Sequence, residues 1–299
     1  MHTATDHLQP EIASSLGNFE LVAKFVVEGF ITGLHKSPYH GFSVEFAQHR
    51  PYMPGDAIRN IDWKLFARTD RHFVKQFEEE TNLKAHIILD ISKSMNYTSG
   101  KHITKYRYAS ILAASLAYLL IRQQDAVGLG LYDEEVKLFM PARLKASYLR
   151  EILKAIQTTE PSNKTKTASS LRSLLERLKR RGLVIVISDF LGDADEIITS
   201  LKLLRHAGHE VIAFQVLDPV ERNFALDVSD ATIIDMETGE SLKTQPYQLQ
   251  EAYRKAMGEH IEKLRHELAN ERIDYLLIDT TIPLDVPLRE YLYKRQTLG

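Results

Sequence analysis

The sequence predicts an α/β fold: a doubly wound, mainly parallel sheet of the Rossmann-like kind, preceded by a small helix-plus-strand extension. Two observations carry this. Apolar runs of strand length recur without polar alternation, as in Ala85-His86-Ile87-Ile88-Leu89 and Leu183-Val184-Ile185-Val186-Ile187, which marks strands buried on both faces. Between such runs lie helix-length segments with apolar residues three and four apart, such as Leu171, Leu174, Leu175 and Leu178. Strand and helix alternating in this way build a parallel sheet covered by helices.

Residues 1–80 form the extension. An amphipathic helix is expected over roughly 12–32, followed by a Pro/Gly-punctuated region in which 41–46 and 72–80 read as strands. The main domain spans 81–299. Its elements are expected in the order strand 85–90, helix 104–122, strand 126–132, short strand 135–139, helices near 146–157 and 168–181, and strand 183–188. A helix at 194–207, a strand at 210–216, a hairpin around 230–243, a helix at 247–268, a strand at 275–279 and a last helix near 285–295 complete it. Basic residues and Gly182 close the segment before strand 183–188, as expected at a helix C-terminus.

Two of the buried strands stop at an acid. Asp90-Ile91-Ser92-Lys93-Ser94 follows the first, and Ser188-Asp189 ends the other. In open α/β sheets, ligands sit beyond the carboxyl ends of strands, near the point where strand order reverses. The pattern Asp-x-Ser-x-Ser is the first element of a metal-ion-dependent adhesion site (MIDAS). Asp90 offers a hard anionic oxygen and Ser92 and Ser94 neutral ones, a donor set suited to Mg²⁺ or Mn²⁺. The polar loop Pro161-Ser162-Asn163-Lys164-Thr165-Lys166-Thr167 can deliver a threonine hydroxyl. Spacing to Leu171 and Leu174 favours Thr165, with Thr167 as the alternative. The expected metal set is therefore Asp90, Ser92, Ser94, Thr165 and Asp189. Asp279 also follows a strand, but strand-end acids commonly cap turns, and it stands outside the set.

The combination of Asp-x-Ser-x-Ser, a loop threonine and Ser-Asp resembles the von Willebrand factor A domain. Upstream, Tyr52-Met53-Pro54-Gly55-Asp56, Arg59-Asn60-Ile61-Asp62-Trp63-Lys64, Ala67-Arg68 and Val74-Lys75-Gln76-Phe77-Glu78-Glu79-Glu80 narrow the resemblance to the domain-of-unknown-function-58 family. The similarity is dense from about Arg50 to Met95 and resumes at Ser188-Asp189. The threonine loop departs from the Gly-Gly-Thr-Asp form common in such domains.

The resemblance implies a non-enzymatic, metal-dependent protein-binding module. It further implies an adaptor or co-chaperone role beside a MoxR-type AAA+ ATPase, whose genes typically accompany this family, and a client protein offering a carboxylate. Two alternatives stand beside it. A Mg²⁺-dependent phosphohydrolase of the haloacid dehalogenase type also places an Asp after such a strand, but needs a second acid where this chain has Ser92. The third reading is a structural domain with a vestigial metal site.

Bulk properties exclude several classes. The absence of cysteine removes disulfides, thiolate metal sites and cysteine catalysis. With 38 basic and 40 acidic residues, a net charge of −2 gives no electrostatic case for nucleic acid or anionic membrane. Residues 1–10 are polar, without a signal-peptide pattern, and the apolar stretch 111–121 is too short to span a bilayer, so a cytoplasmic location is expected. Arg177-Leu178-Lys179-Arg180-Arg181 reads as helix-end cations and not as a nucleic-acid patch. Trp63, the single tryptophan, reads as an anchor for the N-terminal segment, with a docking surface as the alternative.

Overall fold

The computed structural model describes residues 9–15, 18–36, 49–51, 73–75, 83–100, 102–162, 164, 166–226 and 228–296. The chain divides into two compact units, residues 37–82 and residues 1–36 with 83–299. In the smaller unit β1 (His49–Pro51) pairs antiparallel with β2 (Phe73–Lys75), Arg50 lying opposite Val74. The expected strand at 41–46, Trp63, the rest of the upstream motifs and the remainder of the strand expected at 72–80 lie outside the described residues.

The larger unit begins with α1 (Pro10–Ser15) and α2 (Phe19–Lys36), then β3 (Lys84–Asp90), α3 (Lys105–Arg122), β4 (Ala126–Tyr132) and β5 (Val136–Arg143). It continues through α4 (Ala146–Thr158), α5 (Thr167–Arg177), β6 (Leu183–Ser188), α6 (Ala194–His206), β7 (Glu210–Leu217) and α7 (Pro219–Asn223). The hairpin β8 (Ala231–Ile234) and β9 (Ser241–Thr244) follows, then α8 (Pro246–Asn270), β10 (Asp274–Asp279) and α9 (Asp285–Gln296).

Six strands form the sheet in the order β10-β7-β6-β3-β4-β5. All neighbours are parallel except β5, which returns antiparallel along β4. The fold class is therefore the predicted one, a doubly wound, mainly parallel sheet. From β3 the chain steps outward to β4 and β5, then crosses back to lay β6, β7 and β10 on the other side. Strand order thus reverses between β3 and β6, and the carboxyl ends of those two strands carry Asp90 and Asp189.

The helices pack in two sets. On one side α3 lies against β3, β4, β6 and β7 and carries α1, α2 and α4. On the other, Leu171 and Leu174 of α5, Ile197, Ile198, Leu201 and Leu204 of α6, and Leu264 and Leu268 of α8 join Ile88, Val184, Val186, Val211 and Ala213 in one buried cluster. Close approach of β3 and the turn into β6 requires Gly182, where an added Cβ would lie 2.1 Å from the Lys84 carbonyl oxygen. Among the described residues no helix is long and apolar enough to cross a membrane.

Three details differ from expectation. The N-terminal segment holds two helices instead of one, because the Asn18 side chain accepts from Glu20 N at 2.8 Å and starts a second helix. Both belong to the sheet-bearing unit, where Val22, Ala23, Val26, Val27 and Phe30 are buried and α2 lies against α3 and α4. Helix α5 ends at Arg177, with Leu178 turning into the core, so Lys179, Arg180 and Arg181 sit in the turn that follows.

Candidate metal centre

Asp90 is the last residue of β3, and the chain leaves the sheet directly after it. Its carboxylate is fully buried and bonded on both oxygens: Oδ1 accepts from Ser92 N at 2.8 Å, and Oδ2 accepts from the Ser188 hydroxyl at 2.6 Å. A single 3-10 turn at Lys93–Asn96 then brings Ser94 back over the strand ends. The Ser94 hydroxyl donates to Asp189 Oδ2 at 2.8 Å and lies 3.1 Å from Ser92 Oγ. Four of the five expected residues, Asp90, Ser92, Ser94 and Asp189, thus converge at the switch point. The fifth, Thr165, lies outside the described residues.

The alternative threonine, Thr167, opens α5 and is buried. Its hydroxyl faces Tyr132, the register partner of Asp90 on β4. Burial, then the Asp90 charge, holds the Tyr132 phenol well above its usual range, with the Ser188 and Thr167 hydroxyls opposing the rise. Asp279 behaves as a turn cap, its Oδ1 accepting from Thr281 N at 3.0 Å and Thr281 Oγ1 at 2.8 Å.

The loop after β6 is shaped to hold Asp189. Phe190 adopts a left-handed conformation at φ 48°, an uncommon choice for a bulky side chain. Its side chain is fully buried, and its N–H donates to Ser188 Oγ at 3.0 Å. The His260 Nε2 lies 2.9 Å from its carbonyl oxygen. These contacts fix a strained residue directly beside the carboxylate.

Two site residues escaped the sequence reading. Lys105, the first residue of α3, is fully buried, and its Nζ lies 2.8 Å from Asp189 Oδ2 and 2.7 Å from Glu221 Oε1. Glu221 sits on α7, whose start is fixed by a capping box: Asp218 Oδ1 accepts from Val220 N at 2.8 Å, and Glu221 Oε2 accepts from Asp218 N. Asp218 Oδ2 also accepts from Ser99 N at 2.9 Å, tying this fourth loop to the one after Ser94. Sequence signals existed for both. Asp218-Pro219-Val220-Glu221 is a capping box with proline at the first helical position. A lysine at a helix start opposes the dipole, a mismatch that a nearby acid offsets.

The electrostatics follow from burial. Asp90 is pushed up to about 7, first by burial and then by the Asp189 charge, against the hydrogen bonds from Ser188 and Ser92. Burial alone would lower Lys105, yet the Asp189 and Glu221 charges outweigh it and hold the ammonium above its ordinary value. Burial raises Glu221 although Lys105 opposes this. Asp189 and Glu221 thus meet one buried ammonium, with Asp90 close enough to Asp189 to feel its charge, and carboxylates outnumber the cation.

That excess, with an all-oxygen donor set, fits a hard divalent cation. Among the described residues, no three His, Asp or Glu side chains gather as a metal-binding group. An ion here would therefore rest on Asp90 and Asp189 together with hydroxyls, the composition of the expected set.

Residues 48–263 match the family model described as protein of unknown function DUF58. An uncharacterized protein of Mycobacterium tuberculosis is 29% identical over 235 residues, which cover 77% of this chain and 72% of that protein. An uncharacterized protein of Mycobacterium bovis matches to the same extent. Among solved structures, BatB from Bacteroides thetaiotaomicron is similar with a TM-score of 0.47 and 16% identity, over 72% of this chain and 99% of its own. The SpRpn10 VWA domain is similar with a TM-score of 0.46 and 12% identity, over 71% and 95% respectively.

Proposed function

We propose that this chain, which belongs to the DUF58 family, is a protein-binding module whose recognition depends on a divalent cation. The observation that carries the reading is the convergence of Asp90, Ser92, Ser94 and Asp189 at the switch point, with Ser94 bonded to Asp189 at 2.8 Å. Asp90, Ser92, Ser94 and Asp189 would hold the ion, with a hydroxyl from Thr165, or from Thr167 as the alternative, completing the set. When bound, Mg²⁺ or Mn²⁺ would offer an open position to a carboxylate from a partner. The chain's own residues do the rest. Ser188 and Ser92 N–H orient Asp90, Leu191 N–H and Ser94 orient Asp189, and the buried strand ends exclude water from the floor of the site.

The partner in this reading is a MoxR-type AAA+ ATPase or its client, and the compartment is the cytoplasm, where such an ATPase finds nucleotide. Family membership supports the ATPase; the donor set supports the partner carboxylate. Association with the purified ATPase tests it at constant Mg²⁺, so that the ATPase keeps its own ion throughout. Asp90→Ala should abolish binding, and Ser92→Ala should weaken it by roughly 10- to 150-fold, the loss of a charge-assisted contact. Undiminished binding by a folded Asp90→Ala protein would refute the proposal.

A further inference from the structure

The Lys105 ammonium has no part in the metal set as the motifs define it, yet it occupies the same carboxylate. We propose that Lys105 is a built-in counter-cation that competes with the divalent ion for Asp189 and keeps the ion affinity of the free protein low. This inference rests on the metal-dependent reading above.

Three observations carry it. Asp189 Oδ2 already accepts from Lys105 Nζ and from Ser94 Oγ, each at 2.8 Å, so both of its lone pairs are committed. An ion seeking that oxygen must displace one of the two donors. Secondly, Lys105 is fixed in place, fully buried behind the Thr104 cap of α3 and held on its far side by Glu221 at 2.7 Å. Finally, a cation at a helix start is opposed by the dipole, so the position is held against a local cost by the two acids it meets. Removing the ammonium would leave Asp189 and Glu221 uncompensated in a buried site, a state that a divalent cation relieves.

Calorimetric titration with Mn²⁺ tests the proposal on wild type, Lys105→Met and the double variant Lys105→Met/Glu221→Gln. Lys105→Met should bind Mn²⁺ at least about tenfold more tightly, because a unit charge next to the ion's carboxylate repels a divalent cation by more than about 1 kcal/mol even under water-like screening. Its melting temperature should fall without metal and rise further on adding Mn²⁺ than that of wild type. The double variant keeps the wild-type charge of the cluster while freeing the Asp189 oxygen, and should also bind more tightly than wild type. Should Lys105→Met fail to fold, the double variant decides alone. Folded variants with affinity equal to or weaker than wild type would overturn the proposal and leave the metal site intact. Absence of Mn²⁺ binding in all three proteins would overturn the metal-dependent reading and the proposal with it.

Discussion

Replacing Asp90 by Asn should stabilise the metal-free protein at neutral and alkaline pH. Asp90 is fully buried, and its carboxyl is pushed from an ordinary 3.8 up to about 7, by burial first and the Asp189 charge second. Below about pH 4 the folded and unfolded states both carry the proton, and Asp90 costs nothing. From about pH 4 to 7 the unfolded chain has released the proton while the folded protein retains it, so stability falls as pH rises. Above about pH 7 the penalty is constant at about 4 kcal/mol. Asn cannot ionise and keeps an acceptor for Ser92 N–H, but it gives up the second acceptor used by Ser188, at a cost of about 1–2 kcal/mol. A net gain of about 2–3 kcal/mol remains, or roughly 5–10 °C in melting temperature for a unit of this size. Thermal denaturation followed by circular dichroism in EDTA, from pH 4 to 9, reads the difference directly. Wild type should be the more stable near pH 4, where only the lost Ser188 bond counts, the two curves should cross near pH 5 and diverge as pH rises, and Mg²⁺ at pH 8 should raise wild type alone. Parallel curves, with wild type as stable as the variant at pH 8, would refute the electrostatic account of the site.

Further outcomes follow from the same geometry. Purified protein with Mg²⁺ or Mn²⁺ should not turn over generic phosphomonoesters or nucleotides; hydrolysis that vanishes in Asp90→Ala would favour the phosphohydrolase alternative. Leu174→Ala, in the buried cluster behind α5, should cost about 2–5 kcal/mol by denaturant unfolding and leave the Mn²⁺ affinity of the folded protein unchanged. An altered affinity would mean that α5 packing shapes the site as well as the core.

The sheet was legible in the sequence because its strands are buried on both faces. Runs such as Leu183-Val184-Ile185-Val186-Ile187 carry no polar residue, and every residue of β6 is buried. The acids that end β3 and β6 stood out for the same reason, as the first charged residues after an apolar run. Lys105 and Glu221 did not, because their meeting with Asp189 is a matter of tertiary approach. Lys105 bonds to residues 84 and 116 positions away, and no periodicity encodes that. Ser188 was read as part of the Ser-Asp pair, whereas it also donates to Asp90 across neighbouring strands, a contact set by the β3–β6 register. The break between α1 and α2 was missed because apolar spacing continues through it, and the Asn18 cap outweighed that periodicity.

In the reading above, Asp90 and Asp189 define one hard-cation site at the switch point. Electron paramagnetic resonance of Mn²⁺ titrated into the purified protein tests it most directly, since free and bound ion give distinct signals. One Mn²⁺ should bind per chain, displaced by Mg²⁺, and none should bind to Asp90→Asn or Asp189→Asn proteins that remain folded. Binding that persists unchanged in both variants, or no bound Mn²⁺ in wild type, would contradict it.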